Sequence, residues 1–210
     1  MKIKRDFVEL LWLFNSPTWK KIETPQPRET RNIIRLDLHE AGLLYKYAKE
    51  TWVQPQKLFH HTGRGSIILE IGRYWGGSTV LLAIATHHSD VKIISVDVVE
   101  GCHDPDADDW LNDYEEKERI DIRTENSHAM KNMPLSMLFV DGDHSYEGVK
   151  KDFIHHWNYL NGPCLAHDYT DPTCEGLTKF IDEWIEEGYA EIIEQTGTMV
   201  ALKKLKDYGF

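Results

Sequence analysis

The chain has 210 residues, with 24 lysines and arginines against 35 aspartates and glutamates, a formal net charge of -11 and 41 % hydrophobic residues. That length fits one domain with a sizeable core, and the acidic balance argues against nucleic acid as the main partner. No apolar run approaches a membrane span, and three cysteines without metal-type CxxC spacing (Cys102, Cys164, Cys174) point to a reducing, cytoplasmic compartment.

Residues 1–62 read as a helical, irregular extension packing on a core domain that occupies 63–210. The run Leu10 to Phe14 follows Asp6 and Glu9 and ends at Asn15-Ser16-Pro17, so it predicts a short amphipathic helix docked on the domain, not a signal peptide. Pro17 to Pro27 is a polar, proline-punctuated connection, and Leu43, Leu44, Tyr47 and Ala48 mark a helix over Leu38 to Trp52. Past His60-His61-Thr62-Gly63 the pattern changes. Ser66 to Glu70 predicts a buried strand, Thr79 to Ala85 an apolar helix, and Val91 to Asp97 a second strand, which together open a parallel α/β sheet.

Ile120 to Arg123 and Ser136 to Val140 continue the strands, the second almost wholly apolar, as a strand covered on both faces should be. Val149, Phe153, Trp157 and Leu160 stripe a helix, Cys164 to Ala166 is a fifth strand, and Leu177, Phe180, Ile181, Trp184 and Ile185 stripe another helix. Ala190 to Glu194 and Thr198 to Leu202, separated by Gln195-Thr196-Gly197, suit a closing hairpin. The expected fold is α/β: a doubly wound, Rossmann-like sheet, mostly parallel, with an antiparallel hairpin strand at its C-terminal end. Two side readings accompany it. Asp104, Asp106, Asp108 and Glu115 mimic a calcium loop, but Asp109 stands where that loop needs glycine, so a solvated acidic loop over a pocket is expected. His87-His88 and His155-His156 are expected at the surface.

The most specific segment is Glu70-Ile71-Gly72-Arg73-Tyr74-Trp75-Gly76-Gly77-Ser78-Thr79, set between a strand and a helix, where glycines admit a ligand and a helix start offers free N–H groups. Counted from Gly72, the third position is Tyr74, so the dinucleotide fingerprint fails and a NAD-dependent oxidoreductase is disfavoured. Glu70 suits a cationic amino-acid group, reached directly or through water. Gly72, Tyr74, Gly76 and Ser78 are expected to border the ligand with it, side chains at Gly76 or Gly77 blocking it. Asp97 ends the second strand, where an acid accepts from both ribose hydroxyls, and Asn126-Ser127 follows the third strand, where Ser127 can meet an adenine edge.

Asp141-Gly142-Asp143-His144 follows the fourth strand and His167-Asp168 the fifth, so Asp141, Asp143, His144, His167 and Asp168 should gather at the carboxyl edge of the sheet. Carboxylates there can hold a divalent cation, and an imidazole can take a proton.

In this order, EIGRYWGGST, SVDVVEG, LFVDGDHSYEGVKKDF and CLAHDYTDP resemble class I S-adenosylmethionine-dependent methyltransferases of the DGDHSY type. The likeness is to sugar and small-molecule O-methyltransferases, and more distantly to catechol O-methyltransferase, over about residues 64 to 204. It implies bound S-adenosylmethionine, with Asp141 also bordering it, and transfer to a small-molecule acceptor, usually at oxygen. In the metal-dependent sugar enzymes the first acid of an Asp-x-x-His segment is a ligand and the histidine is the base. That implies Asp141 and His144 in those catalytic roles. Their second ligand pair is Glu-Asp, against His167-Asp168 here, so Asp141, His167 and Asp168 form the expected set for Mg2+ or Mn2+. His167 either binds a softer ion or orients Asp168. N- or protein methylation, or a non-catalytic adenosyl-ligand protein, are the alternatives; a homo-oligomer is compatible with the sequence.

Overall fold

The computed structural model describes residues 36–53, 65–102 and 105–209. The amphipathic run Leu10 to Phe14, the Pro17 to Pro27 connection and the 60–63 transition lie outside these residues. Among these residues the α-helices and strands are, in chain order, α1 (Leu38–Val53), β1 (Ile67–Ile71), α2 (Gly77–Ala85), β2 (Lys92–Asp97), α3 (Pro105–Asp113), β3 (Ile120–Thr124), β4 (Met137–Val140), α4 (Tyr146–His156), β5 (Cys164–Ala166), α5 (Glu175–Glu186), β6 (Ala190–Thr196) and β7 (Met199–Lys204).

The seven strands lie in the order β3-β2-β1-β4-β5-β7-β6. β1 to β5 run parallel, and β7 joins β5 antiparallel. The chain winds outward to β3, then returns to place β4 beside β1. That reversal opens a crevice at the carboxyl ends of β1 and β4, where such sheets bind ligands. The hairpin forms as expected, but its turn is shifted: Thr196 pairs with Met199, leaving Gly197 and Thr198 as the two turn residues, with Gly197 at φ 55.

Two-residue alternation divides the core between the two faces of the sheet. Ile68, Ile93, Met137 and Phe139 face α1 and α2, while Leu69, Ile94, Leu138 and Val140 face α4 and α5. β4 is buried at all four positions because both its faces are covered. An aromatic cluster of Phe153, Trp157, Phe180 and Trp184 fills the α4–α5 side. α1 begins with a capping box: Asp37 Oδ1 accepts from the Glu40 amide at 2.8 Å, and Glu40 Oε2 accepts from the Asp37 amide at 2.9 Å. Leu44 and Ala48 then carry it into the core.

Two expectations are corrected. The acidic stretch beyond Asp104 forms helix α3 rather than a loop, because Ala107 and Leu111, one turn apart, are buried in the core beside α2. His156 is buried, not at the surface, since it continues the Val149–Phe153 face of α4. Its Nε2–H donates to the Ser127 carbonyl at 3.1 Å, and burial, aided by the neighbouring His155, pushes its pKa down to about 4. The unfolded chain takes up this proton near pH 6.5, so the contribution of His156 to stability is intact above that pH and is lost as pH falls toward 4. Urea unfolding at a series of pH values should therefore show wild type losing stability relative to His156→Gln, which keeps a donor and cannot titrate. Parallel profiles would contradict this.

Candidate active site

At the crevice lies a cleft of about 950 Å³, bordered by Gly72, Tyr74, Asp97, Val98, Ser127, Asp141, His144, Asp152, His167 and Asp168 among others. This is room for a nucleoside-sized ligand beside a small second molecule. The ends of β1, β2 and β4 approach closely beneath it. The Gly72 amide donates to the Val96 carbonyl and the Asp141 amide to the Ile71 carbonyl. Gly72 has φ 89, and a Cβ there would stand 2.1 Å from the Asp141 carbonyl oxygen, so no side chain fits.

Asp97 holds the glycine-rich loop. One carboxylate oxygen accepts from the Arg73 and Tyr74 amides, both at 2.9 Å, and the other from the Val99 amide at 3.0 Å. It still borders the cleft, with acceptor capacity left for a ligand hydroxyl. Arg73, which the sequence reading passed over, is 2 % exposed and bonds to the carbonyls of Ser95, Val99 and Gly101, tying this loop to the one after β2.

Three members of the loop are placed differently from expectation. Glu70 is fully buried on the α2 face of β1, opposite in parity to Ile71, and accepts from the Thr79 hydroxyl at 2.5 Å. Burial pushes its carboxyl up, and it does not border the cleft. Gly76 packs against α3 rather than a ligand: at φ 86, its Cβ would come 2.5 Å from Cys102 Sγ and 3.0 Å from Ala107. Ser78 is buried in the first turn of α2 and lies off the cleft wall. A bulky residue at Gly76 would therefore strain the packing of α3 before it met any ligand.

At the far end, Ser127 lies where expected, in a short turn after β3. Its hydroxyl donates a close hydrogen bond to Asp152 of α4, whose carboxyl burial pushes up. Val98, 72 % exposed, adds an apolar surface beside Asp97.

The other end gathers four of the five expected acid and histidine residues. His167 Nδ1 is 3.2 Å from Asp141 Oδ1 and 3.4 Å from Asp168 Oδ1. His144 Nε2 is 3.4 Å from Asp141 Oδ1, and its Nδ1 is 3.5 Å from Asp168 Oδ2. Asp168 reaches this position from a left-handed backbone, φ 62. The fifth, Asp143, turns away to accept from the Ser145 amide at the start of α4. Two further residues join that no spacing foretold. Cys174 Sγ is 3.3 Å from His144 Nδ1, and Glu40 Oε2 is 3.4 Å from His167 Nε2.

The charges are mutually set. Burial would raise Asp141, yet His144 and His167 hold it below the usual carboxylate range. Burial opposes the charged ring of His167, but the bonds to Asp141 and Glu40 push it up to about 10. The facing Asp141 carboxylate likewise raises His144, against its burial. Burial and the neighbouring Asp141 push Asp168 up.

The donor atoms of Asp141, His167 and Asp168 all lie within 4.8 Å of one another. Two ligands about 2.1 Å from one ion, at tetrahedral or octahedral angles, stand roughly 3.0–3.4 Å apart. The separations of 3.2 and 3.4 Å fit that spacing, and His144 Nε2 is buried without a hydrogen-bond partner beside them. The residues thus fit a small divalent cation with mixed nitrogen and oxygen donors.

A glycine-rich loop at the switch point, an acid ending β2 and a terminal antiparallel hairpin define the class I methyltransferase fold. Residues 69–169 match the family described as a methyltransferase domain. No curated protein matches. Among solved structures, the chain is similar to the O-methyltransferase NovP, with 15 % identity over 96 % of this chain and 100 % of that one, at a TM-score of 0.67. It is also similar to the Podospora anserina methyltransferase PaMTH1 bound to SAH, at 15 % identity, 96 % and 88 % coverage and TM-score 0.59. CalS11, a TDP-rhamnose 3'-O-methyltransferase of calicheamicin biosynthesis, follows at 13 % identity, 99 % and 94 % coverage and TM-score 0.55. At these identities the likenesses carry the fold. Among the described residues, no helix is long and apolar enough to cross a membrane.

Proposed function

We propose that the protein transfers the methyl group of S-adenosylmethionine to a hydroxyl of a small molecule, such as a sugar, assisted by a divalent cation. One observation carries this reading: a single cleft joins the Asp97-held loop to the Asp141–His144–His167–Asp168 centre across the switch point. The sulfonium of the donor already activates its methyl group, so the protein's task is alignment and deprotonation. Asp97 receives the ribose hydroxyls, Val98 and Ser127 border the adenine, and the Gly72–Tyr74 loop lies along the methionine end. His144, neutral when it acts, accepts the proton of the acceptor hydroxyl.

Asp141, His167 and Asp168 would hold the cation, which when bound supplies positive charge to an acceptor oxygen as it loses its proton. NovP and CalS11, named as O-methyltransferases, support the choice of oxygen. Small size fits the cleft, and the net charge of -11 disfavours nucleic acid. A cytoplasmic location and a homo-oligomer are part of the same proposal.

The metal component is tested by assaying turnover in EDTA and then restoring Mg2+ or Mn2+. Loss and recovery of activity, abolished by Asp141→Asn and Asp168→Asn, is the expected result. Full activity in EDTA would overturn the metal and favour the second reading suggested by the Glu40–His167–Asp141 chain, in which the His167 imidazolium itself supplies the positive charge.

A further inference from the structure

Glu40 belongs to α1, 127 residues before His167 in the chain, yet it is 6 % exposed and reaches the centre. Its carboxylate has four neighbouring donors and about four acceptor sites to meet them. Oε1 accepts from the Thr198 amide at 2.8 Å and the Thr198 hydroxyl at 2.9 Å. Oε2 accepts from the Asp37 amide at 2.9 Å and faces His167 Nε2 at 3.4 Å. The hairpin is shaped around it, since a Cβ on Gly197 would stand 2.5 Å from Oε1. Two of these donors are backbone amides on different elements, one on each carboxylate oxygen, and they hold the carboxylate toward His167.

An ionised carboxylate accepts and does not donate, so His167 must present Nε2–H to Glu40. The opposite nitrogen, Nδ1, then faces Asp141 and Asp168 at 3.2 and 3.4 Å. An outer carboxylate that fixes the tautomer and ring plane of a ligating histidine is a recurrent way of building a metal centre. We propose that Glu40 is the positioning residue that locks His167 as a Nδ1 ligand, giving this centre a nitrogen donor and a preference for Mn2+ over Mg2+. The inference rests on the metal-assisted reading above. Nitrogen favours Mn2+ because Mg2+ takes oxygen ligands and keeps its waters.

The test is direct Mn2+ and Mg2+ binding to the full chain by titration calorimetry, with Mn2+ also followed by electron paramagnetic resonance. Glu40→Gln should weaken Mn2+ binding about 10- to 100-fold and narrow the Mn2+/Mg2+ ratio, with S-adenosylhomocysteine affinity unchanged. Thr198→Val, which loosens the hairpin contact but leaves Glu40 facing His167, should keep wild-type Mn2+ affinity. In a His167→Gln background, Glu40→Gln should cause no further loss, since the two residues act as one unit. Equal Mn2+ affinity in wild type and folded Glu40→Gln, or additive losses in the double variant, would overturn the role of Glu40 while leaving the metal in place. Absence of any Mn2+ or Mg2+ binding by wild type would overturn the metal reading and this proposal with it.

Discussion

Asp97→Ala should weaken binding of S-adenosylhomocysteine by at least about 100-fold in isothermal titration, with the far-ultraviolet circular dichroism unchanged. Two losses combine. The ribose hydroxyls lose a charged acceptor, and the Arg73, Tyr74 and Val99 amides lose the carboxylate that holds the loop in place. A hydrogen bond to a charged group contributes roughly 1.5–3 kcal/mol, so losing two such bonds to the ligand already reaches this magnitude. Asp97→Asn separates the parts, since its amide oxygen can keep some loop amides while the charge is gone; it should fall between wild type and alanine. Unchanged affinity in Asp97→Ala would remove the ribose assignment.

The second large effect concerns the proton. His144→Ala should lower kcat by about 10²- to 10⁴-fold, the usual range for a positioned general base, while leaving donor affinity unaltered. The split follows from position. His144 faces Asp141, Asp168 and Cys174 at the end of the cleft away from Asp97 and Ser127. Cys174→Ser, which keeps a small polar group against His144 Nδ1, should cost far less, because the sulfur orients the ring and takes no part in the chemistry. A parallel loss of donor binding in His144→Ala would mean that His144 shapes the cleft and does not carry the proton.

Much of this site was legible because parallel sheets obey simple rules. Uniformly apolar β4 and β5 announced strands covered on both faces, and consecutive strand ends had to bring Asp141 and Asp168 together. Asp97 was readable as the acid ending β2. Glu70 was misread because the loop signal outweighed strand parity, which turns its carboxylate toward α2 while Ile71 faces the cleft side. Helix α3 was hidden by its charge, although Ala107 and Leu111 carried the helical spacing. His156 could have been found by extending the Val149–Phe153 stripe. Arg73 and Glu40 were beyond such reasoning. A buried arginine on carbonyl oxygens runs against the ordinary exposure of its type, and Glu40 lies outside every strand-end motif, its contact with His167 arising from the tertiary fold.

Methyl transfer to a small acceptor can be measured directly. Purified protein should be incubated with methyl-labelled S-adenosylmethionine and the small-molecule fraction of its native host's extract, and the products separated by chromatography and mass spectrometry. The expected result is label in a small molecule as an O-methyl group, with equimolar S-adenosylhomocysteine, and loss of both with Asp141→Asn. Label in protein or nucleic acid when these are supplied instead, or no turnover of a donor that binds, would contradict it.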